Sequence, residues 1–229
     1  MQVLSKKSLN KGGFAGLREV RVVTDSKIAG ANKDPKTSQG LGNFVYLADA
    51  NFNPLGETGM HPHKEIDVIS VMIDGRVAHK GSLEHGQELK AGEVQVQRAG
   101  GEGFSHNEVN PDNSENRMIQ LWVLPETEGE CAAYKMYQPQ ASGVTRIYGG
   151  NEQQAETFAS QTVIEIVNLA AGDSVAFENE QLSYVTSGLA QFIEGEQKES
   201  VTDGDLVRSE SVTIQAKSDV SIIVISQPH

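Results

Sequence analysis

The sequence predicts an all-β protein of the sandwich or barrel type, and three observations carry that prediction. Its apolar runs are short and rich in Val and Ile. Turn signals separate them at regular intervals. The second half of the chain repeats the first.

The runs at 20–23, 44–47, 68–73, 94–96 and 118–124 in the first half have strand length and strand composition. So do those at 163–169, 182–185, 189–193 and 220–225 in the second. Asp74-Gly75, Ala91-Gly92-Glu93, Ala171-Gly172-Asp173 and Asp203-Gly204-Asp205 supply the turns. Glycine is abundant, 23 of 229 residues, and has no collagen period, as expected where many tight turns are needed. Only 126–137 and 151–159 read as short helices.

The repeat is faint but ordered. Ile69 to Gly75, Leu89 to Val94 and Ile119 to Pro125 align with Leu182 to Gly188, Val201 to Leu206 and Ile222 to Pro228. The turn glycines are 17 residues apart in the first copy (Gly75, Gly92) and 16 in the second (Gly188, Gly204). Two copies of one β unit are expected, packed together so that each covers its sheet faces, with residues 1–138 forming the first and 139–229 the second.

Composition narrows the function. Hydrophobic residues make up 38% and charged residues 22%, ordinary for a folded globular chain. The formal net charge of −12 disfavours direct nucleic-acid binding, because so acidic a surface repels phosphate. The single cysteine, Cys131, permits no intrachain disulfide. The N-terminal residues lack the apolar run of a signal peptide, and no stretch approaches the ~20 apolar residues of a membrane span. The expectation is a cytoplasmic monomer.

The segment that carries chemistry is His61-Pro62-His63. On an extended strand, residues i and i+2 face the same way, so both imidazoles point together. His106-Asn107-Glu108 repeats the logic some 40 residues on. If the two strands are neighbours in a barrel, three imidazoles and a carboxylate converge. Such a site suits Fe(II), Mn, Co, Ni, Cu or Zn and leaves room for substrate. No thiolate takes part, which argues against the usual structural zinc.

These residues also carry a resemblance. His61-Pro62-His63-Lys64-Glu65, running on to Ile73-Asp74-Gly75, resembles the first motif of the pirins, a family of two-barrel cupins. Ala91-Gly92-Glu93-Val94 through Ala99-Gly100 to His106-Asn107-Glu108 resembles their second motif, and Gln120-Leu121-Trp122 their Gln-Leu-Trp strand. The resemblance covers residues ~55 to 125. It implies two cupin barrels of the double-stranded β-helix or jelly-roll kind. In the N-terminal one, His61, His63, His106 and Glu108 would hold a single divalent metal, most often Fe(II). It further implies a quercetin 2,3-dioxygenase-like activity on a flavonol-like substrate and O2, with Glu108 also acting as catalytic base. The alternative within the family is a metal- or redox-responsive protein that regulates a protein partner. The loop from Gly100 to Ser105 is one residue longer than the family pattern and reads as a tight bend at the barrel rim. In the second copy Ser174 and Ala176 stand where His61 and His63 stand in the first, so that barrel is expected to be metal-free.

Other residues read less sharply. Asp67, four residues after His63, is a fifth ligand, an orienting carboxylate or a solvated strand acid. His79 and His85 read as exposed loop residues and His229 as a frayed terminus. Met118 and Trp122 read as core, with pocket lining the lesser reading for both. Cys131 reads as a small buried side chain.

Overall fold

The computed structural model describes residues 1–83 and 87–227, so His85 and His229 lie outside the described residues. In chain order the first strands are β1 (Gln2–Ser5), β2 (Lys11–Phe14), β3 (Leu17–Thr24), β4 (Phe44–Phe52), β5 (His61–His63) and β6 (Asp67–Asp74). They are followed by β7 (Arg76–Gly81), β8 (Glu88–Lys90), β9 (Val94–Arg98), β10 (Phe104–Val109), β11 (Arg117–Val123) and β12 (Ala133–Tyr137). The second half supplies β13 (Gly143–Gly150), β14 (Ser160–Leu169), β15 (Ser174–Phe177), β16 (Gln181–Ser187) and β17 (Leu189–Glu194). The last are β18 (Gln197–Thr202), β19 (Asp205–Ser209), β20 (Val212–Ala216) and β21 (Val220–Ser226). Every run expected to be a strand falls inside one of these elements, apart from Leu124, which lies just past the end of β11.

The expected helices do not form. Residues 133–137 pair as β12 with β9, and 151–159 are turns. Backbone pairing with an open sheet edge satisfies the 133–137 segment better than an isolated helix would. The described α-helix, Ser26–Ala29, is a single turn capped by Asp25, whose carboxylate accepts from the Lys27 amide at 2.8 Å. Among the described residues no helix is long and apolar enough to cross a membrane.

The chain divides into two compact units, one of residues Leu9–Gln138 and one of Met1–Ser8 with Pro139–His229. The first eight residues, expected with the N-terminal barrel, thus join the other unit. There β1 pairs with β19 along Gln2↔Arg208 to Ser5↔Asp205.

Within Leu9–Gln138, a seven-stranded sheet (β12-β9-β6-β11-β4-β3-β2) and a four-stranded sheet (β5-β10-β7-β8) enclose the interior. Side chains from both sheets meet there in layers. The floor is apolar: Leu17, Phe52, Met72, Val77, Leu89 and Met118 form one buried cluster. Above it lies a polar belt that includes Ser70, His79, Gln95, Gln97, His106 and Glu108, all at most 3% exposed. At the mouth, Val68, Ala99 and Phe104 pack with Trp122, and Trp122 stacks on Tyr46 at 4.3 Å between ring centroids.

The other unit repeats this topology. Its four-stranded sheet runs β15-β20-β17-β18, and its six-stranded sheet β1-β19-β16-β21-β14-β13 matches β12-β9-β6-β11-β4-β3 strand for strand. Register makes the repeat residue-specific. Phe192 follows Gly188 by four residues as His79 follows Gly75, and it pairs with Ile214 as His79 pairs with Glu108, which puts Val212 and its partner Phe177 at the positions of His106 and His61. Ser174 and Ala176, expected at the histidine positions, are exposed instead. No imidazole or carboxylate stands at these positions, and the interior is a cluster of Val, Ile, Leu, Ala and Phe.

The turn glycines Gly75, Gly92, Gly172, Gly188 and Gly204 all have φ between 70° and 94°. A Cβ at Gly188 would also collide with the Asp219 carbonyl, whereas one at Gly172 would meet nothing. Gly172→Ala is therefore expected to cost about 1 kcal/mol, the left-handed penalty alone, and Gly188→Ala distinctly more than 2 kcal/mol. Urea midpoints of the two variants, compared at equal m-value, check this ordering.

Candidate metal centre

The site is built on a very short strand. β5 is His-Pro-His at the edge of the four-stranded sheet, a place where proline is tolerated because its missing N–H costs no ladder bond. Pro62 faces out and is exposed, while His61 and His63 face in. On β10 the alternation is complete: Phe104, His106 and Glu108 are buried, and Ser105, Asn107 and Val109 are half-buried. The antiparallel register sets Phe104 opposite His63 and His106 opposite His61. The longer loop before β10 leaves this register intact. Gly100 (φ 54°) and Gly103 (φ 73°) take left-handed turns there, the Gly101 amide donates to the Glu130 carbonyl at 3.0 Å, and the result is the expected rim bend.

Three imidazoles consequently meet. The Nε2 atoms of His61 and His106 lie 3.0 Å apart and those of His63 and His106 3.2 Å apart, and one donor atom from each histidine falls within 4.8 Å of the others. The far sides of two rings are anchored. His61 Nδ1–H donates to the Gly59 carbonyl at 2.9 Å, which fixes its tautomer and leaves Nε2 bare. His106 Nδ1 lies 3.0 Å from His79 Nε2, and the Gln97 side-chain amide lies 3.1 Å from that same atom. With His79 Nε2 as acceptor, His106 carries its proton on Nδ1 and its Nε2 is likewise bare. Two anchored rings presenting bare nitrogens to one point fit a metal ion, and hydrogen-bonded outer nitrogens are what metal-binding histidines ordinarily have.

Burial, reinforced by the neighbouring imidazoles, lowers His106 to about 2. Burial first and His61 second lower His63 to about 4. Both are neutral near pH 7, as ligation requires. Glu108 stands apart from the three-histidine group but lines the same cavity. Burial pushes its carboxyl up to about 7, against a long hydrogen bond from Ser70 Oγ at 3.5 Å. Gln95 Nε2 in turn donates to Ser70 Oγ at 3.3 Å. The cavity measures about 300 Å³ and is walled by Phe14, Leu17, Pro62 and Trp122 as well as the polar groups. It lies at the small end of the range for small-molecule sites.

Four side-chain expectations need correction. His79 is buried (1% exposed) and braces His106. It sits two residues after buried Val77 on β7, opposite Glu108, so the Val77/His79 alternation was the available signal. Asp67 is also buried, but it is ion-paired to Arg98 Nε at 3.1 Å and is neither solvated nor part of the histidine group. The i, i+4 parity from His63 fails because Glu65 takes a left-handed conformation (φ 52°) between β5 and β6, which belong to different sheets. Trp122 lines the cavity and meets His63 edge-on at 5.9 Å, so its lesser reading holds, while Met118 is core. Cys131 is exposed, in the segment just before β12.

The family model described as Pirin matches residues 27–123. A Zymomonas mobilis protein with the provisional name quercetin 2,3-dioxygenase is 27% identical over 177 residues, 73% of this chain and 74% of that one. The quercetin 2,3-dioxygenase of Escherichia coli K12 is 35% identical over 78 residues, 34% of this chain and 33% of that one. Among solved structures, the bacterial pirin YhhW of Escherichia coli in complex with nickel(II) superposes with a TM-score of 0.82 at 19% identity. It covers 99% of this chain and 98% of that one. The chain therefore carries a match to the Pirin family model over residues 27–123 and shares the fold of a bacterial pirin over 99% of its length.

Proposed function

We propose that the cavity is the active site of a metal-dependent dioxygenase acting on a flavonol-like aromatic substrate. The observation that carries the reading is the convergence of three imidazoles, two of them braced from behind, in a cavity walled by aromatic and apolar side chains. His61, His63 and His106 would hold the ion, with Glu108 as the fourth donor. Fe(II) is the first choice, and Mn, Co, Ni, Cu and Zn are decided by the test below. A divalent metal there supplies Lewis acidity toward an enolate oxygen and, if redox-active, one-electron chemistry toward O2.

The protein's own part follows from its side chains. Phe14, Leu17 and Trp122 shed water and favour a flat aromatic ring. Glu108 faces the same cavity as the histidines, and we assign it the substrate hydroxyl proton, taken at one of its carboxyl oxygens. Ser70, held by Gln95, steadies that carboxyl.

Protein purified without chelators should contain close to one metal per chain, and His106→Ala should lose it. After anaerobic loading with Fe(II) or Mn(II), quercetin should drive O2 uptake with release of CO. Absence of turnover with every metal offered would remove the reading. His79→Leu is expected to weaken metal affinity about 10- to 100-fold, measured by calorimetry, because His106 loses the acceptor that fixes its tautomer.

Glu108 gives a pH test on metal-free protein. Its folded-state pKa is raised, so the folded chain holds this proton more tightly than the unfolded chain, and stability is lost as pH rises from about 4.5 through about 7. Glu108→Gln removes that loss. The variant should match the parent near pH 4.5 and exceed it above pH 7 by up to roughly 3 kcal/mol. The lowered histidines act in both proteins alike, costing stability as pH falls below about 6.5, and cancel in the difference.

A further inference from the structure

The cavity at the histidines has a neighbour on the far side of its aromatic wall. A second chamber of about 690 Å³ shares Arg21, Tyr46 and Trp122 with it, so the two adjoin across that trio. Their linings differ in kind. The inner cavity has Phe14, Leu17, Ala50 and Pro62; the outer has Asn10, Lys11, Thr24, Asn32 and Thr37, with the flat backbone of Gly12 and Gly13.

Two hydrogen-bonding atoms on residues that line the outer chamber are left over. Thr24 Oγ1 is buried with no partner, on a residue only 8% exposed, and Trp122 Nε1 is buried with no partner. Such atoms cost stability unless something accepts or donates to them. The charges at the chamber cancel. Arg21 Nε is paired with Glu19 at 2.8 Å, Glu19 also accepts from Tyr46 Oη at 2.9 Å, and Lys11 is balanced by Asp34 in the same lining. A neutral lining rich in amides and hydroxyls, beside a stacked Tyr–Trp pair, matches a polyhydroxylated ring: hydroxyls for the polar atoms, and a C–H face for the aromatic surface.

We infer that the outer chamber is a second subsite that takes a neutral polyhydroxyl substituent, such as a sugar, carried by the aromatic substrate. This rests on the reading of the inner cavity as an aromatic site. The preferred ligand is then a glycosylated phenolic compound, with its aromatic head at the histidines and its sugar outside the Tyr46–Trp122 pair.

The test compares binding, and does not depend on turnover. Calorimetry of the full chain with quercetin, its 7-O-glucoside and its 7-sulfate separates the cases, and quenching of Trp122, the sole tryptophan, reports occupancy in parallel. The glucoside should bind about tenfold or more tighter than quercetin, the gain of one or two good hydrogen bonds. Thr24→Val, which keeps the side chain's volume, should remove most of that advantage, and Thr24→Ser should restore it. Lys11→Ala should narrow the gap as well. Equal affinity for glucoside and quercetin, tightest binding of the sulfate, or an advantage untouched by Thr24→Val would each overturn the subsite. Tight glucoside binding without any O2 uptake would instead overturn the dioxygenase reading and leave the subsite standing.

Discussion

The pairing of β5 with β10 is the constraint on which the site depends. Three residues of one strand and six of the other set His61 against His106 and His63 against Phe104. A slip of one residue would turn every one of these side chains to the opposite face. So short a strand cannot hold that register alone. It is held because β10 is also paired on its other side with β7, from His106↔Gly81 to Val109↔Ala78, and because the Thr58 hydroxyl accepts from the Glu108 amide at 3.1 Å. The site is thus a product of the sheet, with the proline-containing edge strand as its last and weakest member.

A polar belt inside a barrel is unfavourable unless its groups satisfy one another. Here most of them do so in two short chains, and Gln97 Oε1 is left buried without a partner. One runs Gln97, His79, His106; the other Gln95, Ser70, Glu108. Each ends at a group facing the cavity, so interior hydrogen bonding becomes the means of fixing an imidazole tautomer and a carboxyl position. The apolar floor beneath, with Phe52, Met72 and Met118, supplies the burial that keeps these groups neutral.

The repeated unit shows what the same backbone does without that belt. It keeps the strand order and the glycine turns. At the register-matched positions it carries Phe177, Phe192, Val212 and Ile214 where the other unit has His61, His79, His106 and Glu108. Phe192 is wholly buried in an aliphatic cluster, where His79 in the other unit braces a ring. One architecture therefore carries a polar, histidine-lined interior in one copy and an apolar packed core in the other, and the difference lies in a handful of inward positions.

The sequence by itself determined the strands, the turns and the duplication, because period-two alternation and obligatory left-handed glycines such as Gly75 and Gly188 are local properties of the chain. It also named His61, His63 and His106, since i, i+2 spacing on a strand fixes their common face. Tertiary structure alone decided the partners. Whether His79 faced solvent or His106 depended on which strand lay beside β7. Whether Asp67 joined the histidines depended on a single left-handed residue, Glu65, between two sheets. Whether β1 belonged with its sequence neighbours or with β19 was a matter of which sheet edge stood open. These are contacts between residues distant in the chain, and no local pattern encodes the identity of a neighbour that only folding brings near.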